Sequence, residues 1–429
     1  MLKEISSEKD IRQHTGFPFE IPDTWAWVKL ADLYEMNPKV EAAPNTQAAF
    51  IPMENISAGF QETFTFDVQP WNTASKNHTR FADGDVAFAK ISPCFENRKS
   101  FIADGLPNGI GGGTTELIIL RQSKMLPRYT YYVICDQRFI KAGAGSYKGI
   151  VGQQRVKADV YNNYLVAVPP FAEQCRIVAR IDSLFSILDN IDALQARYVA
   201  DAAALKSKLI DAGIRGLLTE RLPEDGAAEE IYQQIQEEKM RLVGEGKIKK
   251  AKPLPEIKQE EVPFDVPKGW KWVRFLSVVD VAANLVSPEK YLEYLHIAPD
   301  NIEKGTGRLL KCKTVREDHV TSANHLFHAG QIIYSKIRPL LNKVVIAPSD
   351  GLCSADMYPL ETKLDARFVQ LYMLSDEFID QIKAITANRV LLPKINKNEM
   401  QRLLLPLPPL AEQRRIVARL NELLPLCEN

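Results

Sequence analysis

The chain repeats itself at a spacing of about 240 residues, and this duplication restricts its folding options more than any other feature. The run from Pro18 to Lys29 (PFEIPDTWAWVK) returns from Pro263 to Arg274 (PFDVPKGWKWVR). Ile51 to Ile56 returns as Ile297 to Ile302, and Phe81 to Pro93 (FADGDVAFAKISP) returns as Phe327 to Pro339 (FHAGQIIYSKIRP). Arg128-Tyr129 and Phe139-Ile140 match Arg367-Phe368 and Phe378-Ile379. The sharpest match sets Pro169 to Arg180 (PPFAEQCRIVAR) against Pro408 to Arg419 (PPLAEQRRIVAR). So many blocks in one order mean two homologous domains, and a length of 429 residues has room for both.

Each copy reads as mixed α/β. The Trp-x-Trp-Val block, Asp85 to Ala89 and Glu116 to Leu120 are β-type runs bounded by Gly, Pro or Asp. Arg128 to Lys141 predicts one helix, having an apolar face and no internal Gly or Pro. A final strand, Tyr164 to Val168, stops at Pro169-Pro170, which cannot donate to a ladder.

After the double proline the period changes. Ile177, Ile181, Leu184, Leu188 and Ile191 follow a coiled-coil seam that continues through Tyr198, Ala202, Leu205 and Leu209, with a polar Gln195 within it. The spacing predicts a helix from Phe171 to Ile214, ended by Gly213 and Gly216 and about 65 Å long. The second copy begins the same seam at Ile416, Leu420, Leu423 and Cys427 before the sequence given stops. The expected organisation is an N-terminal arm (1–17), a first domain (18–170), a central spacer helix (171–216), a short helix and linker (217–262), a second domain (263–409) and a short C-terminal spacer helix (410–429).

Composition excludes several function classes. No apolar run approaches the roughly 18 residues that span a bilayer. The polar start, Met1 to Glu8, is no secretory signal, so a cytoplasmic protein without a membrane partner is expected. The six cysteines form no CxxC pair and read as reduced, small apolar residues. Basic and acidic residues balance at 54 each, whereas a stand-alone nucleic-acid binder usually carries a basic excess. A DNA reader of this composition needs a partner to supply much of its phosphate grip.

Catalytic signatures are missing. No methyltransferase-type (N/D/S)PP(Y/F) run, HExxH or GxSxG occurs. The segment Gly109 to Thr115 lacks the Gly-Lys-Ser/Thr of a phosphate loop and reads as a tight turn. Asp350, Glu361 and Lys363 loosely resemble a nuclease pattern that holds Mg²⁺ between two carboxylates, but the first copy lacks the pair. Cys312, His319, His325 and His328 match no zinc spacing.

With these residues in view, the chain resembles the specificity (S) subunit of Type I restriction–modification systems. The resemblance rests on the paired Pro-x-x-Trp-x-Trp segments, Gly-Asp-Val-Ala-Phe-Ala-Lys, Ser-Lys-Ile-Arg-Pro and the two Pro-Pro-x-Ala-Glu-Gln-x-Arg-Ile-Val exits into helices. It implies two globular target recognition domains, each reading half of a bipartite double-stranded DNA site, joined by long coiled-coil spacer helices that dock methyltransferase (M) subunits, expected to number two. Restriction (R) subunits would join through the complex. The chain itself would be non-catalytic and without a cofactor; S-adenosylmethionine, ATP and Mg²⁺ would belong to partner subunits. Two other readings compete: a duplicated protein-binding adaptor, favoured by the zero net charge, and a Mg²⁺-dependent nuclease using Asp350, Glu361 and Lys363.

Candidate DNA contacts are basic and amide residues in polar segments, since Arg and Lys suit guanine edges or phosphates and Asn and Gln suit adenine. In the first copy these are Lys90, Arg98, Lys99, Lys148, Gln153, Gln154 and Arg155; in the second, Lys336, Arg338, Asn342, Lys343, Asn388, Arg389 and Lys394. Candidate partner-docking residues are Arg176, Ile177, Arg180, Ile181, Leu184, Leu188, Arg415, Ile416, Arg419 and Leu420.

Overall fold

In the computed structural model, residues 18–122, 124–148, 154–248, 253–387 and 393–427 are described. The chain forms two compact units that meet in sequence at Asp192 and Ala193, inside a single helix, Phe171–Ile214. Both units are mixed α/β.

The first unit starts with the Trp block. Ala26–Lys29 pairs antiparallel with Leu165–Val168, so the first and last strands of the domain lie side by side. A four-stranded antiparallel sheet follows, with Val86–Ala89 and Leu117–Gln122 at its centre and Tyr34–Met36 and Ser100–Ile102 at its edges. A second four-stranded sheet orders Asp67–Pro70, Gln47–Ile51, Ile110–Gly113 and Thr79–Ala82, and its central pair is parallel. The strand Val86–Ala89 is buried on both faces. Val86 and Phe88 point to a core shared with the helices, while Ala87 points to a second core with Ile51, Phe81 and Phe101. Period-two side-chain alternation lets one strand supply both cores.

The second unit repeats this plan. Lys271–Arg274 pairs with Leu404–Leu407, Ile332–Ser335 and Met357–Thr362 sit at the centre of a four-stranded sheet, and a five-stranded sheet replaces the other. Matching small details recur. Phe19 stands edge-on to Trp27 at 4.8 Å, and Phe264 to Trp272 at 4.9 Å.

Two expectations are corrected. The helix expected over Arg128 to Lys141 is two helices, Pro127–Cys135 and Gln137–Ala144. Asp136 between them is extended, and its carboxylate caps the second helix by accepting from Arg138 N. Ser375 does the same between Ala366–Leu374 and Asp376–Thr386. The Gly109 to Thr115 turn is instead largely a central strand, Ile110–Gly113. Its glycines answer to crowding: a Cβ on Gly111 would stand 2.4 Å from the Phe81 ring, and one on Gly112 would stand 1.9 Å from the Ala74 carbonyl oxygen. Gly351 occupies the same place in the second unit, 2.3 Å from the Phe327 ring by the same measure.

The long helix belongs to both cores in turn. Near its start Val178 is buried in the first unit, and near its end Ile210 and Ile214 are buried in the second. Gly213 lies within the helix and does not end it; its bare Cα admits Leu420 and Ile416 of the C-terminal helix, Leu410–Leu423. The helix stops before Gly216, whose φ of 72° is left-handed. Among the described residues, no helix is long and apolar enough to cross a membrane. All six cysteines are free, and burial pushes the Cys135 and Cys353 thiols up to about 11 and about 12.

The glycine strand gives a direct stability test. Gly112→Ala is expected to cost about 3 kcal/mol or more, because the obstructing atom is backbone and cannot swing aside. Gly244→Ala, with nothing within 4 Å, is expected to be neutral or slightly stabilising. Urea unfolding followed by circular dichroism measures both.

Candidate nucleic-acid interface

Both domains grip their exit helix through the Gln of the repeated motif. Gln174 is buried; its Oε1 accepts from Leu126 N at 2.9 Å and its Nε2 donates to Pro169 O at 3.0 Å. Gln413 makes the equivalent pair, from Asp365 N at 3.0 Å and to Pro408 O at 2.9 Å. Glu412 is buried and accepts from Trp270 Nε1 at 2.8 Å. In the first unit Arg128 adds an ion pair to Asp182 on the long helix, and the Tyr132 hydroxyl donates to the same carboxylate.

Several expected DNA contacts are internal anchors. Lys99 donates to Met53 O at 2.8 Å, and its counterpart Lys343 donates to Pro299 O at 2.6 Å. Arg98 and Asn342, both at positive φ, bind the end of the following helix through Cys135 O (2.9 Å) and Met373 O (2.8 Å). A donor at these positions ties a left-handed turn to a helix that has run out of its own partners. These four residues are therefore fixed by the fold.

The remaining candidates cluster where the central strand leaves the first sheet. The Lys90 amide donates to Glu116 O at 2.8 Å, and Lys336 N donates to Asp356 O at 3.0 Å. Glu116 is held by a forked ion pair from Arg155, closest at 2.6 Å, and these hydrogen bonds keep its carboxyl below the usual range. Lys394 makes the equivalent pair with Asp356 at 2.9 Å. The Lys90 side chain is half-buried, and Lys336 lies 4.8 Å from the Tyr358 ring. Gln154 lends its carbonyl to Ser92 N, and exposed Lys148 exchanges backbone hydrogen bonds with Arg155. Arg338 is exposed, at φ 45°. Gln153, Asn388, Arg389 and the arm 1–17 lie outside the described residues.

The first unit also has a groove of about 280 Å³ between its two sheets, whose lining includes Asn37, Lys39, His78, Arg80 and Lys90. Only Lys90 of these was expected from the sequence. Arg80 lies 5.8 Å over the Trp71 ring, and Lys39 is exposed. Neither Lys39 nor Arg80 has an ion-pair partner among the described residues. The sequence places these residues some 40 positions apart, and no periodicity links them.

The docking candidates divide. Leu184 and Leu188 are 45% and 53% exposed, Arg176 and Arg180 are exposed, and Ile177 and Ile181 are half-buried. Ile416 and Leu420 are fully buried against the end of the long helix, which removes them from any partner. Arg415 is spent on Asp225, closest at 2.5 Å, and Arg419 on Glu422 at 2.9 Å. Asp350 of the suggested nuclease pattern accepts from Ala329 N and faces His328, while Glu361 stands opposite Asp280 across a strand pair. Among the described residues, no group of three or more His, Cys, Asp or Glu is placed to hold a metal.

Residues 267–427 match the family model of the Type I restriction modification DNA specificity domain. The chain is 31% identical to the Type I restriction enzyme EcoAI specificity subunit of Escherichia coli, over 99% of this chain and 80% of that one. It belongs to the Type I restriction enzyme specificity subunits. The fold agrees: a chain solved in work on complex assembly and conformational transition of the type I R-M system superposes with a TM-score of 0.64 at 18% identity, covering 96% of this chain and 92% of the other. The HsdS subunit from Thermoanaerobacter tengcongensis gives 0.59 at 18%, covering 96% and 91%. Nothing in these likenesses supports the nuclease reading.

Lys99→Met and Lys343→Met are each expected to lower unfolding stability by about 1 kcal/mol, by removing a charge-assisted hydrogen bond to a carbonyl, while leaving the salt dependence of DNA binding unchanged. Chemical denaturation and binding titrations over a range of salt concentrations check this.

Proposed function

We propose that this specificity subunit reads a split double-stranded DNA site, half with each domain, and that its helix docks the methyltransferase subunits that act there. One observation supports this above others. The two domains keep the same frame bond for bond, in Gln174 and Gln413, Lys99 and Lys343, and the pairs Arg155–Glu116 and Lys394–Asp356, yet differ in the residues they expose. One frame with two faces suits one task done on two sequences.

Docking is supported by uncovered apolar side chains. On the first unit's share of the helix, Leu184, Ile187, Leu188 and Ile191 are each about half exposed. On the second unit's share, Leu194, Tyr198, Val199 and Leu205 are likewise exposed. Apolar surface of this kind marks an interaction site in a protein otherwise rich in charge. The zero net charge fits a reader whose phosphate grip is completed by partners.

On this reading two M subunits bind, R subunits join through them, and the assembly works in the cytoplasm. The specificity subunit is non-catalytic; S-adenosylmethionine, ATP and Mg²⁺ are held by the partners.

The test is assembly of the chain with its methyltransferase, followed by mapping of methylated adenines. A bipartite sequence with a fixed unread gap is expected. Insertion of one heptad in the exposed middle of the helix adds about 10.5 Å and should lengthen that gap by about three base pairs. Methylation without a split site, or a gap indifferent to the insertion, would overturn the reading.

A further inference from the structure

The same position in the two domains is built in opposite ways. Asn37 and Ala282 are equivalent, since their amides donate to Ile119 O and Pro359 O at 2.8 and 2.9 Å. Two residues further on stand Lys39 and Asn284. On the facing strand, Phe81 and Phe327 pair with Gly111 and Gly351, which makes Arg80 equivalent to Leu326 and Thr79 to His325. Lys90 and Lys336 are the shared lysines beneath.

In the second unit this space is zipped shut. Leu285–Val286 pairs with the facing strand, Leu285 against His325 and Val286 against Asn324. Asn284 seals the join, its side-chain oxygen accepting from Leu326 N at 3.0 Å and its carbonyl lying 2.9 Å from His325 Nδ1. In the first unit the equivalent segment is Asn37-Pro38-Lys39-Val40. There, among the described residues, no strand pairs with the outer edge of Thr79–Ala82. The gap is held at the width of an arginine, Arg80 reaching Val40 O at 3.5 Å, and the groove of about 280 Å³ results.

The open groove is strongly cationic. Lys39, Arg80 and Lys90 line it, and no carboxylate lines it with them; the nearby Glu116 is already neutralised by Arg155. Arg80 is steadied on Trp71, so little side-chain freedom remains to be lost on binding.

We infer that Lys39 and Arg80 determine the sequence preference of the first domain, reading the acceptor-rich edge of a guanine, and that Lys90 and Lys336 are sequence-independent phosphate contacts. The inference rests on the DNA-reading function proposed above. Its logic is internal to the chain: what two readers share positions the duplex, and what differs between them discriminates sequence. Its three cations can only donate, which favours guanine O6 and N7, both acceptors, over adenine, whose edge mixes donor and acceptor. The second domain, with Leu326 and an occupied Asn284 in those places, must read by other residues.

The experiment uses the chain assembled with its methyltransferase, first mapping the wild-type methylation sequence. Arg80→Gln, Arg80→Lys and Lys39→Ala are then compared on oligonucleotides altered in one half-site at a time. Each should lose about tenfold or more in discrimination at a guanine position of one half-site only, leaving the other half-site untouched. Arg80→Lys keeps the charge but not the fork, so it separates reading from mere attraction; Arg80 is exposed, and thermal melting confirms that the variants fold. Lys90→Ala and Lys336→Ala should weaken binding to all sequences alike and reduce the salt slope by about one. Wild-type discrimination in the Arg80 and Lys39 variants, or a uniform loss of affinity, overturns the inference while the proposed function stands. If the wild-type complex marks no split sequence, both fall.

Discussion

Everything else in this structure hangs from a buried glutamine at the start of each exit helix. A primary amide has one acceptor and two donors, and burial makes an unsatisfied one costly. Gln174 resolves this by joining three segments: its own helix, the strand-ending Pro169 and the amide at the head of the helix Pro127–Cys135. Gln413 repeats the arrangement. The domain and its helix are thus locked by directional bonds as well as by apolar burial, and the direction of each helix is set by the body of its domain. The double proline before each glutamine contributes by ending the last strand and leaving the carbonyl that the glutamine uses.

Above this lock the two domains diverge only where divergence is cheap. Core strands supply two cores by alternation, so any change there disturbs both sheets, and the glycines under Phe81 and Phe327 leave no room for a side chain. The ion pairs Arg155–Glu116 and Lys394–Asp356 bind the same two strand ends with different residues. At the sheet edge the constraint relaxes. Leu285–Val286 joins the facing strand in one copy and no strand does so in the other, which decides whether a groove is open, and the charge at that edge follows.

Much of this was legible beforehand. The duplication, the mixed α/β class and the helix Phe171–Ile214 followed from matched blocks and from a period of seven, because repeats and periodicity are properties of the linear chain. The break at Asp136 was legible in principle, since Asp and Ser are N-cap residues, but apolar periodicity on both sides masked it. The glycine strand is hidden because a Gly run has the same local signature whether the chain turns or is crowded; only Ala74 and Phe81, remote in sequence, distinguish the two. A linear sequence does not show which basic and amide residues have carbonyls to bind, so in it Arg98, Lys99, Asn342 and Lys343 look no different from exposed DNA contacts.

By itself the sequence determined that there are two like domains, where their shared frame lies, and that a stiff helix leaves the first of them. Tertiary structure alone decided which cations are spent and which are available. Ion pairing and burial depend on what stands opposite in space, so Ile416 and Leu420 became core, Arg415 found Asp225, and Lys39, Arg80 and Lys90 were gathered from three separate segments into one groove.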